Sequence, residues 1–457
     1  LNQINADLFI AGKSSKKRTV IFNMNYFSTS SNAPLVSFRE ACIKGQAPDR
    51  GLYFPQYVPQ LPVSFFQNMT GQPVPEMAMQ VMQPYIGKDI PEGELYSILN
   101  ETVNFPVPLL PITASIDVLE MFHGRTLAFK DLGARFMSRC LGYFVKNMQR
   151  KITVLVATSG DTGGAVADGF LGVDGIQVVI LFPSGKVSKV QEKQLTCMGE
   201  NVYALEVEGS FDDCQQMVKS AFMDSQLNEH LFLTSANSIN IARWLPQQLF
   251  YFIAYQQWTD TENAPVIAVP SGNFGNICAG LLAMKSGLPV RHFIAACNAN
   301  DTVPDFLATG VYRARQSQST LSNAMDVGDP SNFIRILKIF NGDISALKNN
   351  LSAISISDKE TAYAMKELYQ EYGYLADPHG AVGYLALKKY LMNNPGYKGL
   401  FAETAHPVKF FDTVEQITGA AVYMPAQVDE LMKRNSFSNK MKVSFEGLKD
   451  YLISLPV

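Results

Sequence analysis

The sequence contains no C-x-x-C pair, and its six cysteines (42, 140, 197, 214, 278 and 297) are scattered. That excludes a cysteine-framed zinc site or a redox dithiol and points to reduced core thiols in a reducing, cytoplasmic compartment. Histidine is scarce: five are present, no two at the spacing of a helical metal site, so no metal is expected. No apolar run reaches the ~18 residues that cross a bilayer, so no membrane span is expected. Charge of one sign is lacking too. The 38 Lys and Arg stand against 41 Asp and Glu, a net −3 that gives no electrostatic case for nucleic acid or an anionic membrane as the main partner. What is present in quantity is apolar: 47% hydrophobic against 17% charged residues over 457, the composition of a well-cored globular protein of two or three domains.

Residues 1–23 carry Lys13, Lys16, Lys17 and Arg18 ahead of Thr19-Val20-Ile21-Phe22. The apolar stretch is too short for a secretory signal, and no small-residue cleavage site follows. Gly12-Lys13-Ser14 imitates the end of a Walker A loop, but the upstream glycine position holds Asp7. The segment reads as a disordered or artificial extension, with Met24 as a natural start.

From about residue 150 the pattern becomes regular. Strand-like runs at Ile152–Ala157, Gln177–Phe182, Val202–Val207, Val266–Val269 and Phe293–Ala296 alternate with segments of helical period such as 188–198 and 211–223. The first two runs are almost wholly apolar, as strands buried on both faces are, so the expectation is α/β with parallel sheets covered by helices. Loops at the carboxyl ends of such strands are where open α/β sheets bind ligands. Two glycine-rich loops hold that position: Thr158-Ser159-Gly160-Asp161-Thr162-Gly163-Gly164 and Gly272-Asn273-Phe274-Gly275-Asn276. Neither is a Walker A or a G-x-G-x-x-G loop; each is a turn before a helix, or a backbone cradle for an anion.

Upstream lies Phe122-His123-Gly124-Arg125-Thr126-Leu127-Ala128-Phe129-Lys130-Asp131, just before an amphipathic helix. A lysine among apolar neighbours has a lowered pKa, which prepares its amine to attack a carbonyl and form a Schiff base. The alternative is a lysine whose stem packs on the helix start while its ammonium reaches water.

This decamer resembles the cofactor-lysine segment of threonine synthases, written HGPTLAFKD there, with Arg125 standing where that family has proline. Ala402-Glu403-Thr404-Ala405-His406-Pro407-Val408-Lys409-Phe410 is similar to the family's TAHPAKF segment, and further matches run in family order from Met24 to the end. The resemblance implies a tryptophan-synthase-β-like fold of two parallel-sheet α/β domains with a small N-terminal domain. It implies pyridoxal phosphate on Lys130, its phosphate cradled by Gly272, Asn273, Phe274, Gly275 and Asn276, and its ring nitrogen bonded by Thr404. By the same resemblance, Thr158, Ser159, Gly160, Asp161 and Thr162 hold the substrate's α-carboxylate. Lys186, Ser188, Asn240 and Arg243 suit a second phosphate, that of O-phospho-L-homoserine, and His406 is structural. The segments expected are 24–105, 106–260 and 261–457, in a monomer or homodimer. A dehydratase of the same fold, a phospho-lyase that does not hydrate, and a catalytically silent homologue remain as rival readings.

Overall fold

A computed structural model of the chain describes residues 23–456 apart from 147, 149 and 261; the readings made for residues 1–22 lie outside the described residues. In chain order the strands are β1 (Tyr26–Ser28), β2 (Tyr53–Pro55), β3 (Leu109–Pro111), β4 (Ile116–Glu120), β5 (Ile152–Ala157), β6 (Ile176–Pro183), β7 (Val202–Val207), β8 (Phe232–Ser235), β9 (Val266–Pro270), β10 (His292–Cys297), β11 (Leu351–Ser355), β12 (Gly399–Glu403) and β13 (Asn439–Met441).

β5 and β6 are buried at every position, which their Val, Ile and Leu content allows and a parallel sheet covered on both faces requires. They sit inside a five-stranded sheet of order β13-β7-β6-β5-β8, in which all pairs are parallel. A second sheet has the order β11-β10-β9-β12-β4-β3 and is parallel except for its β3–β4 edge. β1 and β2 form a separate antiparallel ribbon in the N-terminal segment. Helices Phe38–Lys44 and Glu92–Thr102 of that segment pack against helix Lys130–Val145 and cover one side of the body. The first of these starts with a capping box, Ser37 and Glu40 bonding each other's backbone N–H.

The sheets do not follow the contiguous division at 106 and 261. β3 and β4, from the middle segment, complete the six-stranded sheet, because β4 finds its parallel partner in β12, with Ile116 opposite Gly399 and Glu120 opposite Glu403. β13, near the C-terminus, returns to the five-stranded sheet beside β7. A buried strand must pair its N–H and C=O groups wherever in the chain the partner lies, and apolar runs do not reveal the partner.

The consequence for function is positional. The loops after β4, β5, β9 and β12 all leave the carboxyl ends of parallel strands, and they carry Lys130, the 158–164 loop, the 272–276 loop and Thr404.

Candidate active site

Lys130 opens the helix Lys130–Val145. The loop before it is held by Asp131, which accepts Thr126 N–H at 2.8 Å and the Thr126 hydroxyl. Burial pushes the Asp131 carboxyl up to about 6, although both Thr126 bonds oppose the shift. A side chain at Gly124 would meet Asp131 Oδ2 at 2.2 Å, so only glycine fits there. Leu127 adopts the left-handed region at φ 59°, a conformation costly for a branched residue, and is held in it by the segment opposite. That segment is 404–406: Phe129 N–H donates to Thr404 O at 2.9 Å, His406 N–H donates to Leu127 O at 3.0 Å, and Ala128 bridges Ala405. Residues 275 to 279 apart in sequence are thereby set side by side.

Lys130 keeps some accessible surface, yet its ammonium lies deep enough that burial pulls its pKa below the ordinary lysine value. Lys409 and Arg243 push in the same direction, and Asp161 opposes them.

The 272–276 loop runs into helix Gly275–Lys285 through Phe274 at φ 59°. The amide N–H groups of residues 272 to 276 donate to no described residue, although all of these residues but Asn273 are buried. Buried donors left open at a helix start form an anion site. The side chains here are already engaged. Asn273 bonds Ser238 Oγ at 3.0 Å and accepts Ser331 N–H at 2.7 Å, while Asn276 accepts the Tyr251 hydroxyl at 2.7 Å.

The 158–164 loop is built similarly. Thr158 Oγ1 accepts the N–H groups of Gly160 and Gly163, both at 2.9 Å, so its hydroxyl is turned into the loop. Gly160 has φ 133°, and a Cβ there would meet Gln191 at 2.4 Å. The N–H groups of Ser159, Asp161 and Thr162 have no described acceptor, which leaves a second backbone cradle at the start of helix Asp161–Phe170. The Asp161 side chain faces elsewhere, to Lys409 Nζ at 2.8 Å and Gln191 Nε2 at 2.8 Å. Burial alone would raise its pKa, but Lys409 and Lys130 outweigh that and hold it well below the usual carboxylate range.

The four residues expected to meet a second phosphate separate. Arg243 is 3% exposed, donates one bond to Ala236 O at 2.6 Å, and leaves Nε buried without a partner among the described residues. Burial draws its pKa down to about 10, and it stands close enough to Lys130 to repel it. Asn240 is occupied: its amide donates to Cys42 O and Ser235 O, and its oxygen caps the helix Ile241–Trp244. Ser188 is the N-cap of helix Lys189–Thr196, in a capping box with Gln191. Lys186 is on an exposed turn, close enough to Asp213 to lower that carboxyl's pKa.

Thr404 is buried, and its hydroxyl bonds no other described residue. His406 accepts Val408 N–H at 3.0 Å, and burial pushes its pKa down to about 4, so it stays neutral.

Three family models match the chain: pyridoxal-phosphate dependent enzyme over residues 118–397, threonine synthase N terminus over 25–103, and threonine synthase C-terminal over 380–452. A threonine synthase of Serratia marcescens is 41% identical over 434 residues, 95% of this chain and all of that one. The chain belongs to the threonine synthase family. The crystal structure of Escherichia coli threonine synthase, 41% identical, superposes with a TM-score of 0.89 over 94% of this chain and 99% of that one. A pyridoxal-phosphate-bound threonine synthase from Brucella melitensis, 35% identical, reaches 0.87 over 94% and 99%. The cofactor of this threonine synthase family member is therefore pyridoxal phosphate, and the residues present fit it: a buried amine of lowered pKa, an open amide cradle and a free hydroxyl.

Arg125 causes no break in this threonine synthase loop. It reaches outward, 73% exposed, to pair with Asp168 at 3.1 Å, and the turn is kept by Asp131 and Thr126 instead. Sequence reasoning missed Lys409, Gln191 and Gln194, whose side chains form one buried network. Lys409 stood inside a quoted segment, and its place in an otherwise apolar run was the available signal.

Proposed function

We propose that this chain converts O-phospho-L-homoserine and water to L-threonine and phosphate, with Lys130 carrying pyridoxal phosphate. The observation that carries this reading is the pair of open amide cradles, at 272–276 and at 159–162, beside one buried amine and one buried arginine with a free Nε. Pyridoxal phosphate supplies the electron sink that makes protons at Cα and Cβ of a bound amino acid removable.

The amides of 272–276 hold the cofactor phosphate, and Thr404 Oγ1 holds the ring nitrogen, which a hydroxyl leaves largely unprotonated where a carboxylate would not. The N–H groups of Ser159, Asp161 and Thr162 take the α-carboxylate and so set Cα before Lys130 Nζ. Biased toward its neutral form, the Lys130 amine takes the Cα proton and returns protons later in the cycle. Arg243 Nε meets the substrate phosphate, the anion that a dehydratase's substrate lacks. Asn240 and Ser188 act from behind, fixing the helix starts beside Arg243 and Gln191. The six cysteines, all free, support a reducing, cytoplasmic setting.

The test is to incubate the purified protein with O-phospho-L-homoserine and quantify phosphate and threonine together. Equal amounts are expected. Phosphate accompanied by a keto acid would make it a lyase, and release of neither would overturn the reading.

A further inference from the structure

We propose that Lys409 is a positioning residue: it captures the Asp161 carboxylate and holds it off Lys130 Nζ, so that the candidate nucleophile faces its site without a counter-ion. The inference rests on the reading of Lys130 as the cofactor lysine.

Lys409 is fully buried, which a lysine tolerates only when paired and hydrogen-bonded. Its ammonium has three protons, and three acceptors surround it: Asp161 Oδ1 at 2.8 Å, Gln194 Oε1 at 2.8 Å and Thr126 O at 3.0 Å. Those acceptors come from the carboxylate-cradle helix, the helix Lys189–Thr196 and the Lys130 loop, while Lys409 itself follows Thr404 on the turn Pro407–Phe410. One side chain thus fastens three of the elements that build the site. Gln191 Nε2 adds a second donor to the same Asp161 oxygen, Oδ1, at 2.8 Å, and Gln194 Nε2 returns a bond to Thr126 O at 2.9 Å.

Lys130 forms no ion pair with a described carboxylate, although Asp161 is near enough to act on it. The charged groups facing Lys130 are Asp161, Lys409 and Arg243; Asp131, next in sequence, is turned back onto Thr126. Without Lys409, Asp161 would be a buried, unpaired carboxylate whose nearest cation is Lys130. The pair formed would hold that amine protonated.

The test is competitive acetylation of Lys130 across pH in the full chain purified without cofactor, read by mass spectrometry, with circular dichroism to confirm folding. Because it needs no turnover, its result is separate from whether the chain makes threonine. Lys409→Met is expected to raise the midpoint of Lys130 reactivity by about one pH unit or more. Asp161→Asn combined with Lys409→Met is expected to show no such rise. If Lys409→Met fails to fold, Lys409→Gln, which keeps amide donors but drops the charge, is expected to shift the midpoint upward by less. An unchanged midpoint in the folded single variant, or an equal rise in the double variant, would overturn the proposal, since a merely structural lysine would not depend on the Asp161 charge.

Discussion

Phe129 and Thr404 share a main-chain hydrogen bond of 2.9 Å, which ties the residue before the candidate nucleophile to the residue expected to bond the cofactor's ring nitrogen. The bond belongs to an isolated antiparallel bridge, Ala128 opposite Ala405, just beyond the parallel β4–β12 pairing, so the Lys130 loop is tied to the residues that directly follow β12. Function built on strand ends gains rigidity that a free loop lacks.

Lys130→Ala should abolish turnover, by at least about 10²–10⁴-fold for loss of the proton-transfer group alone. The fold should persist, since Lys130 makes no described ion pair that the change would strand. Coupled phosphate release and a thermal melt read the two parts; ordinary activity in a folded variant ends the assignment of Lys130.

Arg243 and Lys186 should part company. Arg243→Met removes a buried cation whose Nε is unpartnered, and loss of charge-assisted bonds to a substrate phosphate is worth about 1.5–3 kcal/mol, roughly 10- to 150-fold in kcat/KM. Lys186→Met alters an exposed turn and should change kcat/KM by about twofold at most. Steady-state kinetics on both variants would refute this division if their effects were equal.

The runs at 152–157 and 177–182 were legible because a strand buried on both faces must be almost wholly apolar, and the structure places fully buried strands on those residues. Pairing was less legible. β4 and β12 lie nearly 300 residues apart, and nothing in Ile116–Glu120 names its partner. Side-chain roles divided the same way. Asn240 and Thr158 have the polar atoms of ligand-binding residues, yet Asn and Thr cap helices and brace turns with those same atoms. Lys409 lies 215 residues from Gln194 and 248 from Asp161, so no local spacing could announce their contact.

Asp131 should give stability a pH dependence of defined sign. Its pKa rises from 3.8 to about 6 on folding, chiefly through burial. A raised carboxyl favours the folded state fully below about pH 4, loses that contribution between pH 4 and 6, and levels off above. The shift corresponds to roughly 3 kcal/mol. Chemical denaturation of the wild type and Asp131→Asn at pH 4.5 and 7.5 isolates it. The wild type should lose stability relative to the variant as pH rises, and a constant difference would count against the buried carboxyl.

Arg335 offers the sharpest structural prediction. It is 0% exposed, with no carboxylate partner among the described residues, and its guanidinium donates to Tyr53 O twice (3.0 and 3.2 Å), Ile239 O (2.7 Å), Ser238 O (3.0 Å) and Asn332 Oδ1 (2.8 Å). Its planar head also lies 4.6 Å from the Trp244 ring. Burial lowers its pKa to about 9, and the five carbonyl bonds are what make a buried cation tolerable. The bonds join β2 of the N-terminal segment to the Ser238 stretch, and Ser238 in turn accepts Asn273 and Asn332, so the amide cradle at 272–276 is braced through this one side chain. Lysine keeps the charge but cannot present a fork to four residues. Arg335→Lys should therefore destabilise the chain by about 3 kcal/mol. It should also weaken pyridoxal phosphate binding, because loosening Ser238 frees the cradle to open. Denaturant melts with and without cofactor separate the two effects: a loss under about 0.5 kcal/mol with unchanged cofactor affinity would show that the brace is not needed.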